Sequence, residues 1–261
     1  MTDASLFSVQ NVSIAFGGLK AVDDFSLTMQ RGDLQGLIGP NGAGKTTAFN
    51  LITGVYDPDA GSIELAGKSL LGLPPWKIAR AGIARTFQNI RLFPDLTVLD
   101  NVRVACHLRA RHMMWQTFLR TRRFYDDEVA MTDRCLKLLE VIKLSHRADD
   151  LARNLPYGDQ RRLEIARALA TQPKVLLLDE PAAGMNPSEK QDLVTLIRSI
   201  REQFGLTILL IEHDMGLVMK ICERITVLDH GQTIAVGSAA EVQKNPEVIK
   251  AYLGEPAAAE S

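Results

Sequence analysis

No stretch of this chain approaches the roughly 20 consecutive apolar residues needed to cross a bilayer. The run at 206–211 is short and already contains Thr207. Cysteine is scarce: Cys106, Cys135 and Cys222 lie far apart. That spacing excludes paired metal ligands and an even-numbered disulfide framework. The three read as buried thiols in a reducing compartment. Residues 1–10 hold Asp3 and neither lysine nor arginine, which argues against a secretory leader. Excess charge is missing too: 30 basic residues stand against 31 acidic ones, for a net charge of −1. No whole-protein electrostatic case for nucleic acid or membrane survives that balance. The expectation is a soluble, cytoplasmic chain. Low-complexity sequence is confined to 256–261, read as a flexible tail.

What is present is ordinary globular composition, 46% hydrophobic and 23% charged. The length of 261 residues suits one large domain, or one domain carrying a subdomain. Alternating stretches at 6–14 and 24–29 read as strands, and 37–38 as a short apolar run before a glycine-rich turn. A helix is expected over 46–51, a strand over 62–66, and a helix over 76–80 behind Pro74 and Pro75. Residues 96–144 have few glycines or prolines and read as helix in two or three pieces. Helix, strand, helix, strand and helix follow at 161–170, 175–178, 188–204, 207–211 and 216–222. Two strands, 225–228 and 233–236, flank a turn at His230-Gly231. Strands alternating with helices predict an α/β fold with a largely parallel sheet. The helical middle, about 89–165, reads as an inserted subdomain of a single 1–261 domain.

Gly39-Pro40-Asn41-Gly42-Ala43-Gly44-Lys45-Thr46-Thr47 fits the phosphate-binding pattern G-x-x-x-x-G-K-[ST], after an apolar strand and before a helix. The glycines let successive N–H groups converge on phosphate oxygens. The helix N-terminus adds positive partial charge. Lys45 is expected to reach the β- and γ-phosphates, and the Thr46 hydroxyl to ligate Mg²⁺. A second Mg²⁺ partner is expected at Asp179, through water, at the end of the apolar run 175–178. Ligands bind at strand C-termini in open α/β sheets. Glu180 is placed to polarise an attacking water as general base.

The order of motifs resembles the nucleotide-binding subunits of ABC transporters over about residues 7–254: an aromatic, the P-loop, a glutamine, a signature segment, Asp-Glu, then a histidine. The segments Arg85-Thr86-Phe87-Gln88, Leu155 to Arg167, Glu180 to Pro187 and Ile211-Glu212-His213-Asp214-Met215 are similar to the branched-chain amino acid importer type, as is the ending Ala251-Tyr252-Leu253-Gly254-Glu255. The resemblance implies the P-loop NTPase ABC ATPase fold, with a largely parallel core sheet, an antiparallel β subdomain and an inserted helical subdomain. It implies ATP and Mg²⁺ as cofactors. Phe16 resembles the aromatic that stacks on adenine. Gln88 resembles the glutamine that touches Mg²⁺ or water and links the site to the helical subdomain. His213 resembles the histidine that contacts the γ-phosphate and orients water. Tyr157, Gly158 and Asp159 belong to the signature that faces the nucleotide of a second ATPase subunit. His107, His112, His146 and His230 have no such placement.

Two departures stand out. Pro156 and Tyr157 replace the small hydroxyl residue and glycine of the family signature, and Pro156 has neither hydroxyl nor N–H. Asn186 stands where many relatives carry aspartate. The departures imply two inequivalent ATP sites, shared with a different partner ATPase. The implied assembly adds two transmembrane permease subunits and a periplasmic or extracellular substrate-binding protein, with this chain at the cytoplasmic face of the inner membrane and no nucleic acid. Lipopolysaccharide export, urea uptake and a soluble non-transport ABC ATPase are the alternatives. A P-loop kinase or GTPase gives no reason for the signature or for His213. The arginine-rich stretch Arg103, Arg109, Arg111, Arg120, Arg122 and Arg123 reads first as a solvated helical face with snorkelling side chains. Contact with anionic lipid comes next, and a nucleic-acid patch last.

Overall fold

The computed structural model describes residues 5–109 and 122–253. Ten strands run in chain order: β1 (Phe7–Phe16), β2 (Leu19–Met29), β3 (Leu34–Ile38), β4 (Ala60–Leu65), β5 (Lys68–Ser69), β6 (Ile83–Arg85), β7 (Val175–Asp179), β8 (Thr207–Ile211), β9 (Arg224–Asp229) and β10 (Gln232–Gly237). They build two sheets. One is antiparallel, in the order β2-β1-β4-β5; the other is β10-β9-β3-β8-β7-β6, parallel except for β10 at its edge. The fold is thus α/β with a parallel-rich core sheet beside a separate antiparallel one.

The difference between the sheets is written in their residues. In β3, β7 and β8 every position is buried, including Gln35, Asp179 and Thr207, so these strands are covered on both faces. In β1, Phe7, Val9, Val12 and Ile14 are buried, with an irregularity of register between Val9 and Val12. Gly17 and Gly18, both at positive φ, make the two-residue turn that brings Leu19 opposite Phe16.

Nine helices are described: α1 (Lys45–Ile52), α2 (Pro75–Ala81), α3 (Val98–Cys106), α4 (Arg122–Val141), α5 (Tyr157–Ala170), α6 (Pro187–Phe204), α7 (Met215–Ile221), α8 (Ala239–Lys244) and α9 (Pro246–Leu253). Three apolar clusters follow. Phe7, Phe25 and Phe49 join the antiparallel sheet and α1 to Leu177 and Leu209 of the core sheet. Leu176, Leu178 and Leu210 pack against α6 and α7 through Leu193, Ile197 and Val218. Val102, Cys135, Leu139 and Leu163 form the core of α3, α4 and α5. Leu138 and Leu196 pack against both the second and third clusters, coupling the helical layer to the sheet.

Several expectations need correction. Helix α5 starts at Tyr157, not 161, with Pro156 at its N-cap. Strand β6 and helices α8 and α9 were not anticipated. Cys106 and Cys135, remote in sequence, meet with Sγ atoms 3.3 Å apart. Of the arginine-rich stretch, Arg111 and Arg120 lie outside the described residues, as does the tail 256–261; Arg103 is paired with Asp100 at 3.3 Å and Glu128 at 3.0 Å.

Asn186 caps α6. Its Oδ1 accepts the Glu189 N–H at 3.0 Å, while Glu189 Oε2 accepts the Asn186 N–H at 2.9 Å, a reciprocal capping box. Asparagine and aspartate cap equally well. Asn186→Ala is therefore expected to lower unfolding free energy by about 1 kcal/mol, and Asn186→Asp to leave it nearly unchanged, as read by urea denaturation.

Candidate functional site

Three loops meet at one end of the core sheet because of strand order and register. Strand β8 lies between β3 and β7, and Ile211 at its end is opposite both Leu37 and Asp179. The loops leaving these strands carry the P-loop, Asp179-Glu180 and Glu212-His213. Strand C-termini of this kind are where ligands bind in open α/β sheets.

The P-loop is bent by its glycines. Gly39 has φ 151°, and a Cβ there would lie 2.1 Å from the Leu228 carbonyl oxygen. Gly44 caps α1 at φ 99°, with the Ala21 oxygen 2.5 Å from where its Cβ would be. No side chain fits either cradle. Buried Lys45 crosses the loop and donates from Nζ to the carbonyls of Gly39 at 2.7 Å and Pro40 at 2.8 Å. Burial pulls its pKa below the usual lysine value, opposed by the charges of Glu180 and Asp179. Residues 41–47, Gln88, Glu180 and His230 line one cleft of about 400 Å³.

Glu180 is the focus of that cleft. Its backbone is left-handed, at φ 46°, and its N–H is tied to the Ile211 carbonyl at 2.9 Å. Its Oε2 accepts from Gln88 Nε2 at 2.8 Å and lies 3.5 Å from His213 Nδ1. The three expected catalytic side chains thus converge on one oxygen. Asp179 is turned the other way: Oδ2 accepts from Arg85 Nη2 at 2.7 Å, in a pair buried on both sides. Arg85 reaches on to Asn50 Oδ1 on α1, also at 2.7 Å. Asp179 is itself buried and is not among the residues that line the cleft. Thr46 sits beside Lys45 in the same cleft. A hydroxyl, a carboxylate oxygen and an amide are hard oxygen donors of the kind Mg²⁺ takes alongside water and phosphate.

Phe16 is half exposed and meets Tyr56 edge-on, with ring centroids 5.2 Å apart. It is not among the residues lining the cleft, and neither are Tyr157, Gly158 and Asp159. The Tyr157 ring stands over Gly184, where a Cβ would approach it to 3.3 Å. Asp159 faces Arg162 at 3.7 Å and Arg147 at 3.9 Å. His230, given no role from sequence, borders the cleft in full solvent.

Residues that sequence reasoning left without a role hold the site in place. Arg161 is buried on α5. It donates to the Tyr157 hydroxyl, to the Phe87 carbonyl at 2.7 Å, to the Gln88 carbonyl and to Glu164 Oε2 at 3.3 Å. Glu164 Oε1 in turn accepts the N–H groups of Phe87 at 3.2 Å and Arg91 at 3.4 Å. Burial raises the Glu164 pKa, and those N–H bonds and Arg161 resist the rise. One buried pair therefore clasps the backbone around Gln88 to the signature helix. Glu212, fully buried, does similar work: it accepts N–H bonds from Ala182 at 2.7 Å and from His213 at 3.2 Å. Its pKa too is raised by burial, against those bonds. The only sequence signal for such residues is a charged side chain on an otherwise apolar helix face or strand end.

Removing one partner of a buried ion pair leaves the other uncompensated, at about 3–5 kcal/mol. Arg161→Met is expected to cost that much in urea unfolding. The double substitution Arg161→Met with Glu164→Leu is expected to recover part of it.

Comparison with known proteins agrees with this geometry. The ABC transporter family model matches residues 22–183, and the branched-chain amino acid ATP-binding cassette transporter model matches residues 232–258. The high-affinity branched-chain amino acid transport ATP-binding protein LivG of Salmonella typhimurium is 49% identical, over 96% of this chain and 98% of its own. The lipopolysaccharide export system ATP-binding protein LptB of Escherichia coli is 36% identical, over 95% and 97%. The crystal structure of the ADP conformation of an ATP-binding cassette of an ABC transporter superposes with a TM-score of 0.82 at 31% identity, covering 96% of this chain and 99% of that one. With its P-loop and the carboxylate, amide and imidazole gathered beside it, the chain belongs to the ABC transporter family of ATP-binding ATPases, among the branched-chain amino acid transport ATP-binding proteins.

Proposed function

We propose that the chain hydrolyses ATP with Mg²⁺ to power uptake of branched-chain amino acids through separate transmembrane subunits. The observation that carries the chemistry is the convergence of Gln88 and His213 on Glu180 Oε2, beside the P-loop lysine. The substrate class is supported by identity to LivG, which exceeds that to LptB.

The P-loop amides and Lys45 hold the β- and γ-phosphates, and Phe16 offers its exposed ring to adenine. Thr46 and Asp179, with Gln88, would hold Mg²⁺, and the ion would supply positive charge against the phosphate oxygens. Glu180 accepts a proton from the attacking water, and His213 donates to the γ-phosphate and orients that water. Gln88 holds the Glu180 carboxylate in place by its 2.8 Å bond. Tyr157, Gly158 and Asp159, displaced from the cleft, face the nucleotide of a second ATPase subunit of different sequence. Closing that dimer on ATP and reopening it after hydrolysis is a two-state switch biased by γ-phosphate contacts. No described helix is long and apolar enough to cross a membrane. Two permease subunits supply the membrane path, a periplasmic or extracellular binding protein delivers the substrate, and this chain sits peripherally at the cytoplasmic face.

Two measurements test the reading. Cells deleted for this chain are expected to lose uptake of labelled leucine and to regain it with the wild type but not with Glu180→Gln. Loss of a general base costs about 10²–10⁴-fold. Unchanged leucine uptake on deletion refutes the substrate class and leaves the ATPase. At the α5 N-cap, Pro156 makes no side-chain cap bond. Pro156→Ser restores a donor worth about 1.5–3 kcal/mol and is expected to raise ATP turnover of the assembled complex by about tenfold or more. Unaltered turnover refutes a functional role for the departure at Pro156.

A further inference from the structure

Cys106 ends α3 and Cys135 lies in the second half of α4. Both are buried, and their Sγ atoms are 3.3 Å apart. A disulfide needs about 2.05 Å, so the two sulfurs must close by only about 1.3 Å. The environments of the two thiols differ. Cys135 is wholly enclosed in the helical core with Leu139 and Val102, whereas Cys106 also lines a cavity of about 370 Å³. Leu138, Val141, Leu169 and Phe204 give that cavity its apolar walls, and Arg134 and Lys137 bring positive charge to it. It has room for several molecules of water size, at about 30 Å³ each.

We infer that Cys106 and Cys135 form a redox-modification site, in which a small peroxide entering this cavity oxidises Cys106 and Cys135 then closes a disulfide between α3 and α4.

In the first step the Cys106 thiolate attacks one oxygen of hydrogen peroxide. The O–O bond breaks, and the leaving hydroxide takes up a proton and departs as water. Cys106 becomes a sulfenic acid and the peroxide is reduced. In the second step the Cys135 sulfur attacks Cys106 Sγ. The S–O bond breaks, the S–S bond forms, and the hydroxyl leaves with the Cys135 proton as a second water. The polarity of the pair fits these roles. Contact with Cys135 holds the Cys106 thiol below its ordinary pKa, with the charge of Arg134 adding to that and burial opposing it. The same contact, with burial, raises the Cys135 thiol, and Cys106 is the one of the two that lines the cavity. Attack requires a thiolate, which favours Cys106. The third cysteine is an internal control: buried Cys222, packed against Gly36, is pushed up to about 12 by burial.

The disulfide has a defined mechanical reach. Asn101, five residues before Cys106 on α3, accepts the Phe93 N–H and donates to the Phe93 carbonyl, both at 3.0 Å. Drawing α3 toward α4 therefore pulls on the segment that follows Gln88.

The test uses the full, reduced chain treated with dilute hydrogen peroxide, quenched by alkylation and read by peptide mass spectrometry. Loss of the Cys106 and Cys135 thiols is expected at least tenfold faster than loss of Cys222. A linked Cys106–Cys135 peptide should appear, and dithiothreitol should reverse it. Cys135→Ser should stop at a sulfenic acid on Cys106 that dimedone traps, and Cys135→Ala should do the same if serine disturbs the core. Cys106→Ser should leave Cys135 reduced. The inference is overturned if Cys106 reacts less than tenfold faster than Cys222, if no linked peptide forms, or if Cys135 oxidises as fast without Cys106.

Discussion

Strand β8 hydrogen-bonds in parallel to β3 on one side and β7 on the other, and that double pairing sets the depth at which each neighbouring loop leaves the sheet. Side chains alternate faces with a period of two, so a slip of one residue would exchange Leu37, Leu177 and Leu209, which pack toward the antiparallel sheet, with residues that pack against α6 and α7. The two differently shaped clusters on the two faces hold the register. The relative height of the P-loop, Glu180 and His213 is therefore a by-product of core packing. The catalytic constellation costs no separate element; it inherits its alignment from leucines and isoleucines that never meet the nucleotide.

Onto this frame three buried carboxylates fasten the mobile chemistry. Asp179 grips Arg85, Glu164 grips Arg161, and Glu212 gathers backbone N–H groups. Each carboxylate is costly to bury alone and tolerable only with its partners in place. Glu164 and Glu212 also accept backbone N–H groups of the loops that carry Gln88 and His213, so these two networks act as positioning devices. The Arg161–Glu164 pair matters most for the proposed coupling. It holds the chain around Gln88 from a helix whose first residues belong to the signature, so a shift of that helix and a shift of Gln88 are mechanically one event.

Much of this was legible from sequence, for identifiable reasons. The P-loop declares itself because only glycine tolerates the approaches seen at Gly39 and Gly44. Strands β7 and β8 declare themselves by the apolar runs 175–178 and 208–211. The meeting of Gln88, Glu180 and His213 came only through the order of family motifs, because no local pattern links residues 92 positions apart. Arg85, Arg161 and Glu164 were missed for the same reason: a buried charge looks like a surface charge until its partner is located. The first turn of α5, Tyr157-Gly158-Asp159-Gln160, carries no apolar periodicity to mark it as helix, and β6 was missed because three residues are too few to show a period. The cysteines read correctly as buried thiols, but the meeting of two of them was not legible, since distance along the chain says little about distance across two packed helices.

The left-handed backbone of Glu180 bears on how such a protein can change over time. A residue with a Cβ pays about 1–2 kcal/mol to sit there, while glycine adopts the same conformation without strain, offset by its greater freedom when unfolded. Natural or laboratory selection for heat resistance alone would therefore have a reason to drift toward glycine at 180, and to discard the carboxylate in doing so. Retaining glutamate there is a standing tax that only turnover repays, so a screen of variants by melting temperature would misrank this position.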